Sequence, residues 1–217
     1  MTTVECPGSL VESREAAAAR LAYAVQRAGS LAVLCGPPGT GVSTVLSLLT
    51  TTAHGGSRQS VVRSLREWHD DAADSPLPDV VLADDAHVCN GTMIQRLFDR
   101  CRRQRPAASL VLAGHGRLLT LIARDANLER AVLLRAVLRP FSLTETQRVL
   151  DTMLTRPDTT RPDEAVVHTM HELAAGIPAT VARLAELVGV VAASRPHGSL
   201  SIRDIEAIHR RLCVHAA

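Results

Sequence analysis

The stretch GPPGTGVST, Gly36 to Thr44, decides how the rest of the chain is read. It meets every fixed position of the phosphate-binding pattern G-x-x-x-x-G-K-[ST] except one, because Val42 stands where the lysine belongs. Gly36, Gly39 and Gly41 supply backbone freedom around Pro37, Pro38 and Thr40. In such a loop the backbone N–H groups wrap phosphates, and the helix that follows aims its positive end at them. Ser43 falls where a magnesium-ligating hydroxyl stands, and Thr44 backs it. The lysine of the pattern reaches the terminal phosphates, which valine cannot do. Three readings stay open: an ATPase that has lost its cation, a nucleotide binder that works without it, or a look-alike turn.

The flanks supply the context a phosphate loop requires. LAVLC (Leu31 to Cys35) is a continuous apolar run, the mark of a buried parallel strand, and VSTVLSLLTTTA after the loop reads as a helix. Upstream, Ser9 and Glu12 have capping-box spacing ahead of a helix that runs to Ala28 and stops at Gly29. Downstream, His54 to Ser60 is a Gly/Ser-rich link, SVVRSL a second strand and DDAADSPLPD a turn-rich connection. VVLAD (Val80 to Asp84), ASLVLAG and AVLLRAVL are further strands, with helices over GTMIQRLFDRCRRQ and Arg117 to Arg124. This alternation predicts a parallel, doubly wound sheet. From Ser142 onward only helices are expected: Ser142 to Thr155, Pro162 to Ala175, Pro178 to Ala193 and Ser201 to His215, with TRPDTTRPD and SRPHGS between them. The expected organisation is an N-terminal helix over residues 1–29, an α/β nucleotide-binding core over 30–141 and a helical lid over 142–217.

VVLADDAH (Val80 to His87) is the second chemical signal. In phosphate-loop enzymes the acid ending this strand holds magnesium, a role that falls to Asp84. The next position carries the acid that orients the attacking water, and Asp85 is one methylene shorter than the usual glutamate. Alone, the run is a strand ending in a solvated acidic turn; behind a phosphate loop in the right order, it is a second half of one site.

Composition narrows the alternatives. A hydrophobic share of 46% with 21% charge describes a globular chain rather than a disordered one. The aromatics are only Tyr23, Trp68, Phe98 and Phe141, so the core must rest on Leu, Val, Ile and Ala. A net charge of +2 points to no polyanion partner by itself. The chain contains no lysine: all 24 basic residues are arginine, as a GC-rich codon bias would produce. Such drift would leave arginine at position 42, so valine needs its own cause. Cys6, Cys35, Cys89, Cys101 and Cys213 have no C-x-x-C spacing and read as reduced thiols; Cys35 reads as packing. With no signal-peptide pattern and no membrane-length apolar run, a cytoplasmic protein without membrane insertion is expected.

In order along residues 25–210, GPPGTGVST, VVLADDAH, LVLAGHGRL, RPFSLTET and LAAGIPATVARLAEL resemble the motifs of AAA+ ATPases. The branch they look most like has a D-E-A-H second motif: the ExeA-type secretion ATPases and related transposition ATPases. The resemblance implies an α/β P-loop NTPase parallel sheet flanked by helices, followed by a small all-helical AAA+ lid. It implies ATP or ADP with Mg2+ as cofactors, held by residues 36–44, with Ser43 and Asp84 on the metal. It places Asp85 at the catalytic acid and His115 at the polar sensor, where relatives carry Gln or Asn. A second sensor arginine follows the proline of the last motif in the family; here Ala179 stands there, and Arg183 lies one helical turn on. Charge or reach is thus lost at positions 42, 85 and 179, which implies binding with weak or absent hydrolysis and a regulatory or switching role. An active ATPase and a nucleotide-free interaction module are the alternatives. The resemblance further implies homo- or hetero-oligomers with other AAA+ subunits and a protein partner, with Arg130 or Arg135 as candidate arginine finger. It also raises DNA contact through Arg96, Arg100, Arg102, Arg103 and Arg105, whose plain reading is a solvated helix end. His168 and His171, three apart on a helix, have metal-like spacing without a third ligand and read as surface residues.

Overall fold

A computed structural model describes residues 12–54, 58–67, 76–154, 162–194 and 201–214. Two compact units divide the chain, one over Ser13–Arg139 and one that includes Pro140–Ala217. Within the first, α1 (Glu12–Gln26), β1 (Leu31–Cys35), α2 (Val42–His54), β2 (Ser60–Ser64), β3 (Val80–Asp84), α3 (Gly91–Gln104), β4 (Ser109–Gly114), α4 (Arg117–Ala123), α5 (Ala126–Ala131) and β5 (Val132–Val137) follow in order. A single-turn 3₁₀ helix, Leu65–Glu67, ends β2 one residue earlier than the apolar pattern suggests.

The strands form one parallel sheet in the order β2-β3-β4-β1-β5. Its apolar runs are continuous because both faces are covered, and successive residues alternate between two cores. Ala32 and Leu34, Val80 and Leu82, and Val111 and Ala113 pack with Leu21 of α1 and Leu46 of α2. Leu31 and Val33, Val81 and Ala83, and Leu110 and Leu112 pack on the other face with Ile94 of α3, Ile122 of α4 and Leu128 of α5. The expected doubly wound sheet is therefore present, and its core is aliphatic. Because β4 lies between β1 and β3, the turn after β4 emerges between the phosphate loop and the acidic strand end. That topology builds the site.

One local feature escaped the periodicity. Helix α5 occupies residues to which the sequence assigned no helix; Asp125 caps it, accepting from the N–H groups of Asn127 and Leu128 at 2.8 and 3.1 Å. Helix α1 lies on the sheet, with Ala17, Ala18, Leu21, Ala24 and Val25 buried in the first core. The Ser9 cap falls outside the described residues, as do Trp68, residues 55–57 and 70–75 of the expected links, 155–161, and 195–200.

The helical unit contains α6 (Leu143–Leu154), α7 (Glu164–Leu173), α8 (Pro178–Ala193) and α9 (Ile202–Val214). Phe141, Leu150, Met170, Val181, Leu184 and Ile205 belong to its core. A capping box starts α6: the Ser142 N–H donates to Glu145 Oε2 at 2.7 Å, and the Glu145 N–H returns to Ser142 Oγ at 3.2 Å. Gly176, at φ 63°, follows α7 and lets the chain turn into Pro178 at the first position of α8.

Candidate functional site

The loop between β1 and α2 is held shut from within. Thr40, fully buried, donates both its N–H (3.2 Å) and its hydroxyl (2.7 Å) to the Pro37 carbonyl. Gly39 and Gly41 sit at φ 79° and 91°, a region that side chains resist, which explains why glycine stands at both positions. Gly36 is buried, Pro37, Pro38 and Gly39 are exposed, and Ser43 and Thr44 stand exposed at the first turn of α2. Val42 opens the helix, but its side chain is buried and belongs to the core shared with α1 and the sheet. At this position only the main chain is left to face a ligand. Its burial supplies the cause that arginine drift did not: the residue serves packing.

Across the site, Ser43 Oγ donates to Asp84 Oδ2 at 2.7 Å. The other Asp84 oxygen accepts the Asp85 N–H at 2.8 Å. Asp85 itself adopts φ 55°, an uncommon region for a non-glycine residue and one that marks constrained sites. Its carboxylate accepts from Ser64 Oγ, at the end of β2, at 3.2 Å. The two acids of the motif thus part company: Asp84 faces the phosphate loop and Asp85 faces β2.

His115, at the end of β4, places Nδ1 3.2 Å from the Gly36 carbonyl, so its ring is bonded to the loop itself. His87 meets that ring edge-on, with centroids 4.1 Å apart. It fits there because Gly114 has no side chain; a Cβ at that position would lie 2.7 Å from His87 Nδ1. Burial holds the His87 imidazole below its ordinary value, with His115 and Arg66 adding to the effect and Asp85 and Asp84 opposing it. Arg117 donates to the His87 carbonyl at 2.8 Å and pins the turn after the motif.

Two groups that periodicity did not assign also belong here. Ser64 partners Asp85, and Arg14 of α1 reaches the phosphate loop from behind. Its Nε and Nη2 each donate to the Thr40 carbonyl at 3.1 Å, and Nη2 also donates to the Arg139 carbonyl at 2.7 Å. Arg14 shares the apolar face of α1 with Ala17, Ala18, Leu21 and Val25, at helical spacing. A charged residue in that row was the available signal.

The remaining candidates stand on other elements. Arg183 is exposed on α8 of the helical unit, one turn beyond the exposed Ala179. At the far end of α3, Arg105 pairs with Asp79 at 2.5 Å, Arg102 lies over the Phe98 ring at 5.0 Å, and Arg100 donates to Gln104 at 3.1 Å. Arg96 and Arg103 are both exposed on the same helix. Arg130 bonds back to Ala126 and Asn127 within α5, and Arg135 pairs with Glu129 at 2.6 Å. His168 contacts Glu172 at 3.4 Å, while His171 bonds Thr146 at 2.8 Å. Among the described residues no group of three or more His, Cys, Asp or Glu could hold a metal ion. Cys35, Cys89 and Cys101 are buried free thiols, with burial raising each above its ordinary value, Cys101 to about 11. No helix among the described residues is long and apolar enough to cross a membrane.

The sheet order and the loop define the α/β P-loop NTPase fold, and solved structures share it. The RuvB protein of Thermotoga maritima, in a single-substitution variant, superposes with a TM-score of 0.68 at 16% identity, over 91% of this chain and 69% of that one. Aeropyrum pernix ORC1, solved in complex with DNA, gives 0.69 at 16% identity, over 95% of this chain and 67% of that one. Aeropyrum pernix ORC2, solved as ADPNP–ADP complexes, gives 0.65 at 11% identity, over 94% and 68%. At these identities the likeness is one of fold. No family model matches the sequence, and no curated protein does.

Proposed function

We propose that the chain binds ATP or ADP with magnesium through residues 36–44 and hydrolyses it weakly or not at all, acting as a nucleotide-responsive switch or regulatory subunit. The observation that carries the reading is the 2.7 Å bond between Ser43 Oγ and Asp84 Oδ2. It brings a hydroxyl and a carboxylate oxygen together beside a phosphate loop. Magnesium takes hard oxygen ligands and completes its shell with waters and phosphate oxygens, so two protein oxygens suffice. When bound, the ion would neutralise phosphate charge. Ser43 and Asp84 would hold it, and the backbone of Gly39 to Thr44 with the start of α2 would bind the phosphates.

Support for weak hydrolysis comes from where the other groups point. Val42 is committed to the core and Asp85 to Ser64, so the loop cation is missing and the second acid is engaged away from Asp84. One electrostatic contact made in a transition state is worth roughly 10²–10³ in rate, whereas binding keeps the backbone, helix and metal terms. His115, bonded to the Gly36 carbonyl, is the group through which phosphate occupancy would be sensed. Assembly with other subunits of this fold, and a nucleotide-binding role for Arg183, belong to the same proposal. DNA contact through α3 has less support, because Arg100, Arg102 and Arg105 each have partners within the chain.

The test is titration of a fluorescent ATP analogue with and without magnesium, alongside a phosphate-release assay. Saturable, magnesium-dependent binding with little turnover is expected. No binding at millimolar nucleotide would overturn the reading in favour of an interaction module. Robust turnover that disappears in Asp84→Ala would instead establish an active ATPase.

A further inference from the structure

The phosphate loop lacks its lysine, yet a guanidinium stands behind it. Arg14 is 3% exposed. Burying such a group is costly unless its donors are satisfied, and here two of its nitrogens donate to main-chain oxygens. Two go to a single acceptor, the Thr40 carbonyl, at 3.1 Å each; one reaches Arg139 at 2.7 Å and one reaches Ser13 Oγ at 2.7 Å.

The choice of acceptor matters because of peptide geometry. The Thr40–Gly41 peptide is trans, so its C=O and N–H point in opposite directions. With the carbonyl drawn inward to a buried guanidinium, the Gly41 N–H points the opposite way, away from Arg14. Bonding to a charged donor also polarises the peptide and strengthens its N–H as a donor. Gly41, at φ 91°, is the residue least able to hold its own orientation, since glycine explores that region and others freely. Arg139 is the last residue of the α/β unit, so the same side chain also ties the loop to the strand exit beyond β5.

We propose that Arg14 is a positioning residue for phosphate binding: it locks the Thr40–Gly41 peptide so that the Gly41 N–H faces the phosphates, in a loop whose lysine is gone. The inference rests on the nucleotide reading above and adds a specific residue to it. Arg14 touches no phosphate; it acts through one peptide plane.

The distinguishing feature is selectivity for the phosphate end of the ligand. A merely structural residue would weaken adenosine, ADP and tripolyphosphate alike, or lower the denaturation midpoint without changing the affinity of the folded fraction. A positioning residue leaves adenosine unaffected and weakens Mg·ADP and tripolyphosphate. Arg14→Gln and Arg14→Lys are titrated with all three probes by calorimetry, with folding checked by circular dichroism. Arg14→Gln is expected to weaken Mg·ADP and tripolyphosphate by about tenfold, as loss of a charge-assisted bond implies, with Arg14→Lys falling between it and wild type. In the wild-type protein, the Arg14 Nε proton observed by ¹⁵N–¹H NMR should shift on adding Mg·ADP or tripolyphosphate, which decides the matter even if neither variant folds. Wild-type binding with unchanged affinities in both variants, or with an unmoved Arg14 resonance, overturns this inference alone. Failure of the wild-type protein to bind either phosphate probe removes the nucleotide reading and this inference together.

Discussion

At the amino ends of β3 and β4, Asp79 accepts from Arg105 at 2.5 Å and from the Gln59 N–H at 2.9 Å, while Arg58 donates to the carbonyls of Val25, Asp79 and Ala107. At the carboxyl ends of the same strands, Asp84 accepts from the exposed Ser43 hydroxyl, Asp85 bends to φ 55° to reach Ser64, and two histidine rings lie edge to face against the loop. Both ends hold two or more charged or titratable side chains within one cluster. At the amino end, arginine forks close on carbonyls and one carboxylate, joining the strand starts to α1, α3 and the loop before β4. At the carboxyl end, the oxygens converge on short hydroxyl and amide donors, and the arginine that braces the loop does so from behind. The difference teaches that in a lysine-free chain arginine content does not locate function. What does is the presence of acids whose partners are small, neutral and replaceable by a ligand.

The sharpest break of this comparison is Asp84→Ala. It should weaken magnesium-dependent nucleotide binding roughly hundredfold with little change in the urea denaturation midpoint, since the carboxylate proposed to hold the ion is lost from a solvent-facing cluster. Its counterpart, Asp79→Ala, should do the reverse. Losing charge-assisted bonds from Arg105 and the Gln59 amide costs about 2 kcal/mol of stability by urea denaturation, with nucleotide affinity unchanged. If Asp79→Ala impaired binding as much as Asp84→Ala, the two ends would not be separable. Val42→Lys comes next: about tenfold tighter Mg·ADP binding by calorimetry, because the new ammonium can snorkel toward the phosphates. Its aliphatic stem would keep part of the core contact that Val42 makes.

The parallel sheet was legible because its central strands β1, β3 and β4 alternate between two aliphatic cores, which writes them as nearly unbroken apolar runs. The pairing of Ser43 with Asp84 was implied by two motifs in the right order. Helix α5 was not legible, since six residues are too few to show a period and only Asp125 marks its start. Ser64 and Arg14 were missed for a different reason: both act on main chain or on a neighbour brought close by sheet order, which spacing along the chain does not encode. The arginines of α3 stay ambiguous in sequence, because a helix end crowded with cations looks the same whether its partners are phosphates or, as for Arg105, the Leu77 carbonyl and Asp79.

The smallest expected effect sharpens the comparison through pH. His87 is held below its ordinary value of about 6.5, mainly by burial beside Gly114 and His115. The unfolded chain therefore takes up a proton through that window that the folded chain resists. The stabilising contribution is complete above the ordinary value and is lost as pH falls toward the folded one. His87→Gln should narrow the difference between urea midpoints measured at pH 7.5 and 5.5. No corresponding change is expected for Arg105→Gln at the other end of the sheet. An unchanged pH difference in His87→Gln would mean that the ring opens to water readily in the folded protein. The His87–His115 contact would then not be what keeps the turn after β4 closed on Gly36.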